Sequence, residues 1–428
     1  MNNTLSISAF LLLASAFSIA AQDSHPAKKD VSVSIINHSD ADSTDVSRKF
    51  RENAPVAFNI PNAPRFAIVG KNRSFYLGIG GQVKSTVSYD FGSPINNANE
   101  FATSAIPMNP APGNGAKIQF SAMQSGLFVN MVALPDNPNS IGAYINFNLV
   151  NGNYGFNLVY AYLKYRGFTV GYDYSLFSDM AAVPPTIDYE GPCGLTAIPN
   201  GVLDYRHNFG KHFSAGIGLE MPIASYTDSK LTSTVSQRVP DIPAYLQYSF
   251  TGNSRIRFSA ILRNMTYRDL STNRNRNTVG YGFKLSGTME FIPNLITYYQ
   301  AAYGKGITSY FQDLYDGGLD MVPEAGSDGR LTAVKSWGGY LGMQYNFTPK
   351  LYASATFSYL RNYAPRYTES STPWADQYKY ARYAVCNLFY NISSMLSCGL
   401  EYIWGSRTDM SGLTRHDNRI QTMLQVSF

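Results

Sequence analysis

The nine residues "RIRFSAILR" at 255–263 place Arg255, Arg257, Ser259, Ile261 and Arg263 on one face of an extended chain, and Ile256, Phe258, Ala260 and Leu262 on the other. An arginine facing lipid near the bilayer midplane costs about 2–4 kcal/mol, so in a membrane wall the apolar set faces lipid and the arginines face inward. At about 3.3 Å per residue the arginine row covers about 26 Å along the strand, and somewhat less along a pore axis once tilt is allowed for.

The same alternation recurs over residues 74–91, 117–134, 140–150, 155–165, 168–176, 201–209, 212–222, 241–250, 255–266, 277–289, 295–306, 333–346, 351–363, 377–390, 395–406 and 418–428. That is about sixteen strands, an even number, as a closed antiparallel barrel with both termini in the periplasm requires. The connections are sorted by length. "PDNPN", "RG", "GK", "TGNS", "FIPN", "TPK" and "NISS" fill every second junction with turn-forming residues. The junctions between them run long, at 92–116, 177–200, 223–240, 267–276, 307–332, 364–376 and 407–417, and only "NGNY" is short. A soluble sandwich has no reason to sort its loops in this way. The fold class read from the sequence is therefore all-β, an antiparallel transmembrane β-barrel of about sixteen strands with short periplasmic turns and long extracellular loops.

Composition agrees. Past residue 21 no apolar run is long enough to span a bilayer as a helix, and the mean hydropathy is −0.18. Yet 14% of residues are aromatic, with 32 Tyr and 25 Phe, as expected when only alternate positions face lipid. Three cysteines are too few for a disulfide scaffold, so stability must come from the closed hydrogen-bonded sheet. A net charge of +5 without a basic tract gives no sign of nucleic-acid binding.

The chain divides into three parts. "MNNTLSISAFLLLASAFSIAAQDSH" has the apolar run and small-residue end of a secretory signal, so residues 1–21 are expected to be cleaved on export, which fits an outer-membrane location in a bacterium. Residues 22–65 are polar, lack an alternating face and read as a periplasmic leader, with a short helix near 43–52, that acts as a tether and is too polar to plug a barrel. Residues 66–428 form the barrel. Its last segment, "RIQTMLQVSF", aligns Ile420, Thr422, Leu424, Val426 and Phe428 on one face, and reads as a wall strand that also signals to the outer-membrane assembly machinery.

Six segments carry a family resemblance: "FYLGIGGQVKSTVSYDFG" at 75–92, "FTVGYDYSLFSDMAAVPPTIDYEGPCG" at 168–194, "AILRNMTYRD" at 260–269, "YQAAYGKGITSYFQDL" at 299–314, "WGGYLGMQYNFTPKL" at 337–351 and "GLEYIWGSRTDMSG" at 399–412. They resemble the DcaP-like outer-membrane porins, and the second is the most specific. The resemblance implies a trimeric sixteen-stranded porin that admits small anionic solutes, dicarboxylates in particular. It does not extend to the N-terminal coiled coil of better-known members, because residues 22–65 contain no heptads, and Cys193 occupies the position after "EGP".

No catalytic constellation is visible. His25 and His38 lie in the leader, His207 and His212 flank a turn and His416 sits in the last long loop, so the chain is not read as an enzyme, and no cofactor or metal site is expected. "GIGG" at 78–81 and "WGGYLG" at 337–342 lie inside strands and lack the helix and Lys-Ser/Thr of a phosphate loop, so they mark places where the wall bends or a loop packs inside. "DLYDGGLD" at 313–320 lacks calcium-loop spacing and reads as a solvated loop. Cys386 and Cys398 share lipid-facing parity, and two readings stand: a cross-strand disulfide, if the register brings them within about 4.4–6.8 Å, or two small apolar residues against lipid.

The third loop on the long side, 177–200, carries Met180, Ala181, Ala182, Val183, Pro184 and Pro185, too apolar for water. Folding it into the lumen would bury these groups and narrow the channel, with Asp179, Asp188 and Glu190 facing basic wall residues. Strand parity adds Lys84, Arg206, Lys284 and Arg419 to the interior beside Arg255, Arg257 and Arg263. A row of guanidinium groups binds carboxylates through paired hydrogen bonds at several weak sites, which suits passage of small anions. Two alternatives remain: the arginines pair with Asp204, Glu401 or the inserted loop and leave a neutral pore, or the barrel is a nonconducting structural or adhesive one.

Overall fold

The computed structural model describes residues 31–35, 41–56, 64–70, 73–327, 329–368 and 370–428, and the signal segment read over 1–21 lies outside them. Sixteen wall strands run in chain order: β1 (Phe75–Gly92), β2 (Ala116–Ser121 and Gly126–Ala133), β3 (Ile141–Asn151), β4 (Gly155–Tyr165), β5 (Phe168–Tyr174), β6 (Pro199–Phe209), β7 (Phe213–Glu220), β8 (Ile242–Ser249), β9 (Arg255–Asp269), β10 (Arg274–Ile292), β11 (Leu295–Lys305), β12 (Lys335–Asn346), β13 (Leu351–Tyr363), β14 (Tyr378–Asn391), β15 (Leu396–Asp409) and β16 (Thr414–Ser427). Each pairs antiparallel with its sequence neighbours. β16 pairs with β1 from Asp417↔Gly92 to Ser427↔Gln82, which closes the sheet and leaves the barrel without a free edge.

These strands correspond one to one with those read from the sequence. Two connections expected to be long are short, because β9 and β10 pair out to Asp269↔Arg274 and β15 and β16 out to Thr408↔Thr414. β2 is interrupted at 122–125, where four of its residues face three of β1, between Thr86↔Ser121 and Gln82↔Gly126. One extra residue on one strand is a bulge.

Alternation assigns the two faces. In β1, Lys84, Thr86, Ser88 and Asp90 are buried while Val83, Val87 and Tyr89 are exposed outside. Tyr165, Phe168, Phe209, Phe213, Phe250, Phe291 and Phe347 are exposed near the short-turn end, as the aromatic girdle of one membrane interface requires.

The interior is not uniformly polar. Loops 93–115 and 306–334, with 175–198 between β5 and β6, fold inward and bring Ile95, Phe101, Phe177, Cys193, Tyr310 and Phe311 into one buried cluster against Leu360, Tyr383 and Ile403 of the wall. Apolar groups on a loop are driven inward as they would be in any core. The segment read as a solvated "DLYDGGLD" loop follows them. Asp313 and Asp320 are buried, Asp313 accepting from Tyr378 at 3.0 Å and from Thr103, and Asp320 pairing with Arg263 at 3.0 Å.

Before the barrel, the strands Val31–Ile35 and Phe66–Gly70 pair with each other, and the second continues onto β1 from Phe66↔Ile79. Between them α1 (Ala41–Asn53) packs on inward-facing wall residues at the short-turn end, which corrects the reading of residues 22–65 as a plain tether.

Candidate functional site

The 175–198 loop crosses the lumen and is fastened to the opposite wall. Glu401 of β15 accepts from Ile187 N at 2.9 Å, Asp188 N at 3.1 Å and Thr186 Oγ1 at 2.8 Å, and also from Asn387 and Gln421. A carboxylate gathering five donors is a strong clamp. Pro185 O accepts from Ser354 and Asn387, and Tyr340 donates to Ala182 O at 3.0 Å. Gly342 and Gly338 of the "WGGYLG" stretch lie directly under Pro184 and Phe311, so these small residues serve loop packing. At the near end Asp179 takes a bidentate pair from Arg255 at 2.8 and 3.1 Å and a bond from Ser286 at 2.7 Å.

Asp188 stands near the wall cations Lys84 and Arg419, and its hydrogen bonds come from elsewhere. It accepts from Phe101 N, Glu190 N, Gly191 N and Tyr383 Oη, which ties the loop to its neighbour. Glu190 accepts from Gln312 at 3.1 Å, and burial, with Glu100 and Asp313 close by, pushes its carboxyl well above the ordinary range.

Between this loop and β1–β5 remains a narrow cavity of about 70 Å³ lined by Gln82, Gln124, Asn146, Asn148, Tyr189 and Glu190. On its periplasmic side a wider cavity of about 510 Å³ is lined by Lys164, Arg206, Arg255, Arg257, Asp173 and Asp179. A closed barrel narrowed by an infolded loop, with a basic chamber below, has the form of a diffusion pore. The sequence pattern of the Porin subfamily matches residues 79–421, more than half of the chain.

The chain belongs to the Porin subfamily.

As a porin it is an outer-membrane channel, and the family and fold point to transport rather than catalysis. No curated protein matches it. Among solved structures it is similar to the outer-membrane channel DcaP of Acinetobacter baumannii, at 17% identity over 84% of this chain and 99% of that one, with a TM-score of 0.71. It is also similar to a loop-deletion form of OmpT of Vibrio cholerae, at 11% identity over 83% and 100%, TM-score 0.51. OmpF of Salmonella typhi matches at 13% identity over 83% and 99%, TM-score 0.50. The DcaP-like resemblance of the sequence and the structural likeness agree.

Within this porin the inward basic residues separate into two groups. Arg263 is fully buried, with Asp241 and Asp320 each at 3.0 Å and the Tyr310 ring beneath it. Arg419 is fully buried in a bidentate pair with Asp90 at 2.7 Å and donates to Asn97 O at 2.6 Å. Lys84 donates to Gln124 and Ile187 O, and Lys284 to Thr196, both enclosed by the loop. Arg206, Arg255 and Arg257 instead reach the chamber. Arg206 pairs with Asp173 at 3.0 Å and Asp204 at 3.1 Å, so Asp204 is a partner as the alternative reading held, whereas Glu401 clamps the loop backbone.

Arg257 donates to Leu176 O at 2.6 Å, lies 3.8 Å from the Tyr245 ring centre, stands 3.9 Å from Asp179, and its Nε has no partner among the described residues. Lys164, absent from the sequence-derived set although its parity in β4 is inward, completes the chamber. Cys386 and Cys398 are free thiols. The register sets them opposite Tyr402 and Tyr390, so no cross-strand disulfide joins them, and Cys193 is buried 3.5 Å from Ser358 Oγ.

Proposed function

We propose that this porin passes small hydrophilic solutes with a preference for anions, carboxylates and dicarboxylates being the class its DcaP-like resemblance implies. The observation that carries the reading is Arg257: a guanidinium held over an aromatic ring and engaged on one side by a carbonyl, lining a chamber that Arg206, Arg255 and Lys164 also face. A carboxylate entering there meets a fork it can bind through paired hydrogen bonds, while neighbouring cations offer the next position. Asp173, Asp179 and Asp204 offset part of the charge and keep each site weak enough to release its solute.

Residues 1–21 are the cleaved signal in this reading, and the solutes cross passively. The mature barrel inserts through the outer-membrane assembly machinery into lipid, as a homotrimer joined through lipid-face contacts near β1. A second reading, a nonconducting barrel, is favoured by the three infolded loops and α1, which occupy much of the lumen. Replacing Arg255 and Arg257 with Ser tests the first. The reversal potential should move toward cation preference and uptake of a small dicarboxylate should slow, while unchanged selectivity and uptake would reject the assignment.

A further inference from the structure

Below the inserted loop, α1 stands inside the periplasmic mouth. Val46 and Phe50, with Ala54 just past its last residue, recur at helical spacing and form a buried stripe. Phe50 is fully buried against Tyr76, ring centres 6.2 Å apart. The wall leaves room for the helix because two inward positions are glycine. A Cβ at Gly78 would stand 2.9 Å from the Phe50 ring, and one at Gly142 would stand 2.0 Å from Asn53 Oδ1.

The C-terminal end of the helix is specifically received. Asn53 Nδ2 donates to Asn130 Oδ1 at 2.7 Å and to Ala143 O at 3.1 Å, and Asn130 returns a bond to Phe50 O at 2.8 Å. The Asn53 carbonyl, left without a helical partner, accepts from the Tyr162 hydroxyl at 2.8 Å and the Lys164 ammonium at 2.7 Å, which also suits the negative end of the helix dipole. Lys49 pairs at 2.7 Å with Asp136 in the turn between β2 and β3. Ala54 packs with Phe128 and Val159, and those two side chains also line the narrow cavity beside the loop, so the helix borders it on the short-turn side.

We propose that α1 is a periplasmic gate: docked, it closes the exit of the passage between the inserted loop and β1–β5, and undocked it opens that exit. The two obstructions in series are differently placed. The loop is held inside the lumen by three donations to the buried Glu401, whereas the helix, held by its stripe, the hydrogen bonds at its C-terminal end and an ion pair whose Asp136 is largely exposed, stands at the mouth, so the helix is the part that moves. The gate acts on every ion and does not depend on the proposed anion preference.

The experiment uses the full-length protein with Cys386→Ser and Cys398→Ser as parent. Lys49→Cys with Asp136→Cys should lock the helix when oxidised, giving low single-channel conductance in planar bilayers that rises about twofold or more on reduction. Phe50→Ala with Asn53→Ala should raise conductance without any reductant. Either rise supports the gate. Equal conductance in the oxidised, reduced and Phe50→Ala/Asn53→Ala proteins, all migrating as heat-modifiable barrels, would overturn it.

Discussion

Two arginines of one strand have different tasks, and a substitution at each should tell them apart. Arg263 neutralises Asp241 and Asp320 with no exposure to solvent, so Arg263→Ala strands two buried acids and should cost about 3–5 kcal/mol, read as a lowered unfolding transition of the purified barrel. Arg257→Ser removes a group at the chamber wall and should shift selectivity with a smaller loss of stability. Their common parity was legible in "RIRFSAILR" at 255–263, because alternation alone decides which way a side chain points. Of their partners, Asp241 opens the strand read over 241–250, whereas Asp320 lies on a loop whose inward path no local pattern encodes. Glu190 supplies a pH effect at the same scale. Its raised affinity for a proton leaves it neutral in mild acid, and as pH rises it gains a negative charge beside the passage. Anion preference should therefore fall with rising pH, and Glu190→Gln should flatten that dependence in reversal-potential measurements.

Among elements, the 175–198 loop and α1 differ in how plainly the sequence declared them. The loop carries an apolar and proline-rich run on the long-loop side of a membrane barrel, and burial was the physical answer to that composition. Its clamp, Glu401, sits in a wall strand like many others and only the fold reveals that it faces the loop backbone. Shortening the loop between Asp179 and Glu190 should raise single-channel conductance by about twofold or more in a barrel that still assembles, and an unchanged conductance would place the loop outside the conducting path. For α1 the helix itself was readable near 43–52, but a three-residue stripe in a polar segment says nothing about where it docks. The matching signal lay in Gly78, within the "GIGG" stretch, and in Gly142, both distant in sequence from the helix.

For the whole molecule, sixteen strands were readable because a lipid-facing wall imposes the same alternation on every strand and sorts the connections by side. Assembly is less constrained by pattern, since the apolar outer face suits lipid and a neighbouring barrel equally. A closed ring of three copies is the expected state, and the mass of the protein in mild detergent should correspond to a trimer, a monomer under all conditions counting against it. The function proposed at this scale is a preference of the channel for anions. The most direct test is the reversal potential of the purified wild-type porin in a planar bilayer under a potassium chloride gradient. The sign given by chloride crossing more readily than potassium is the predicted result. A reversal potential of the opposite sign, or a barrel that carries no current, would contradict the account.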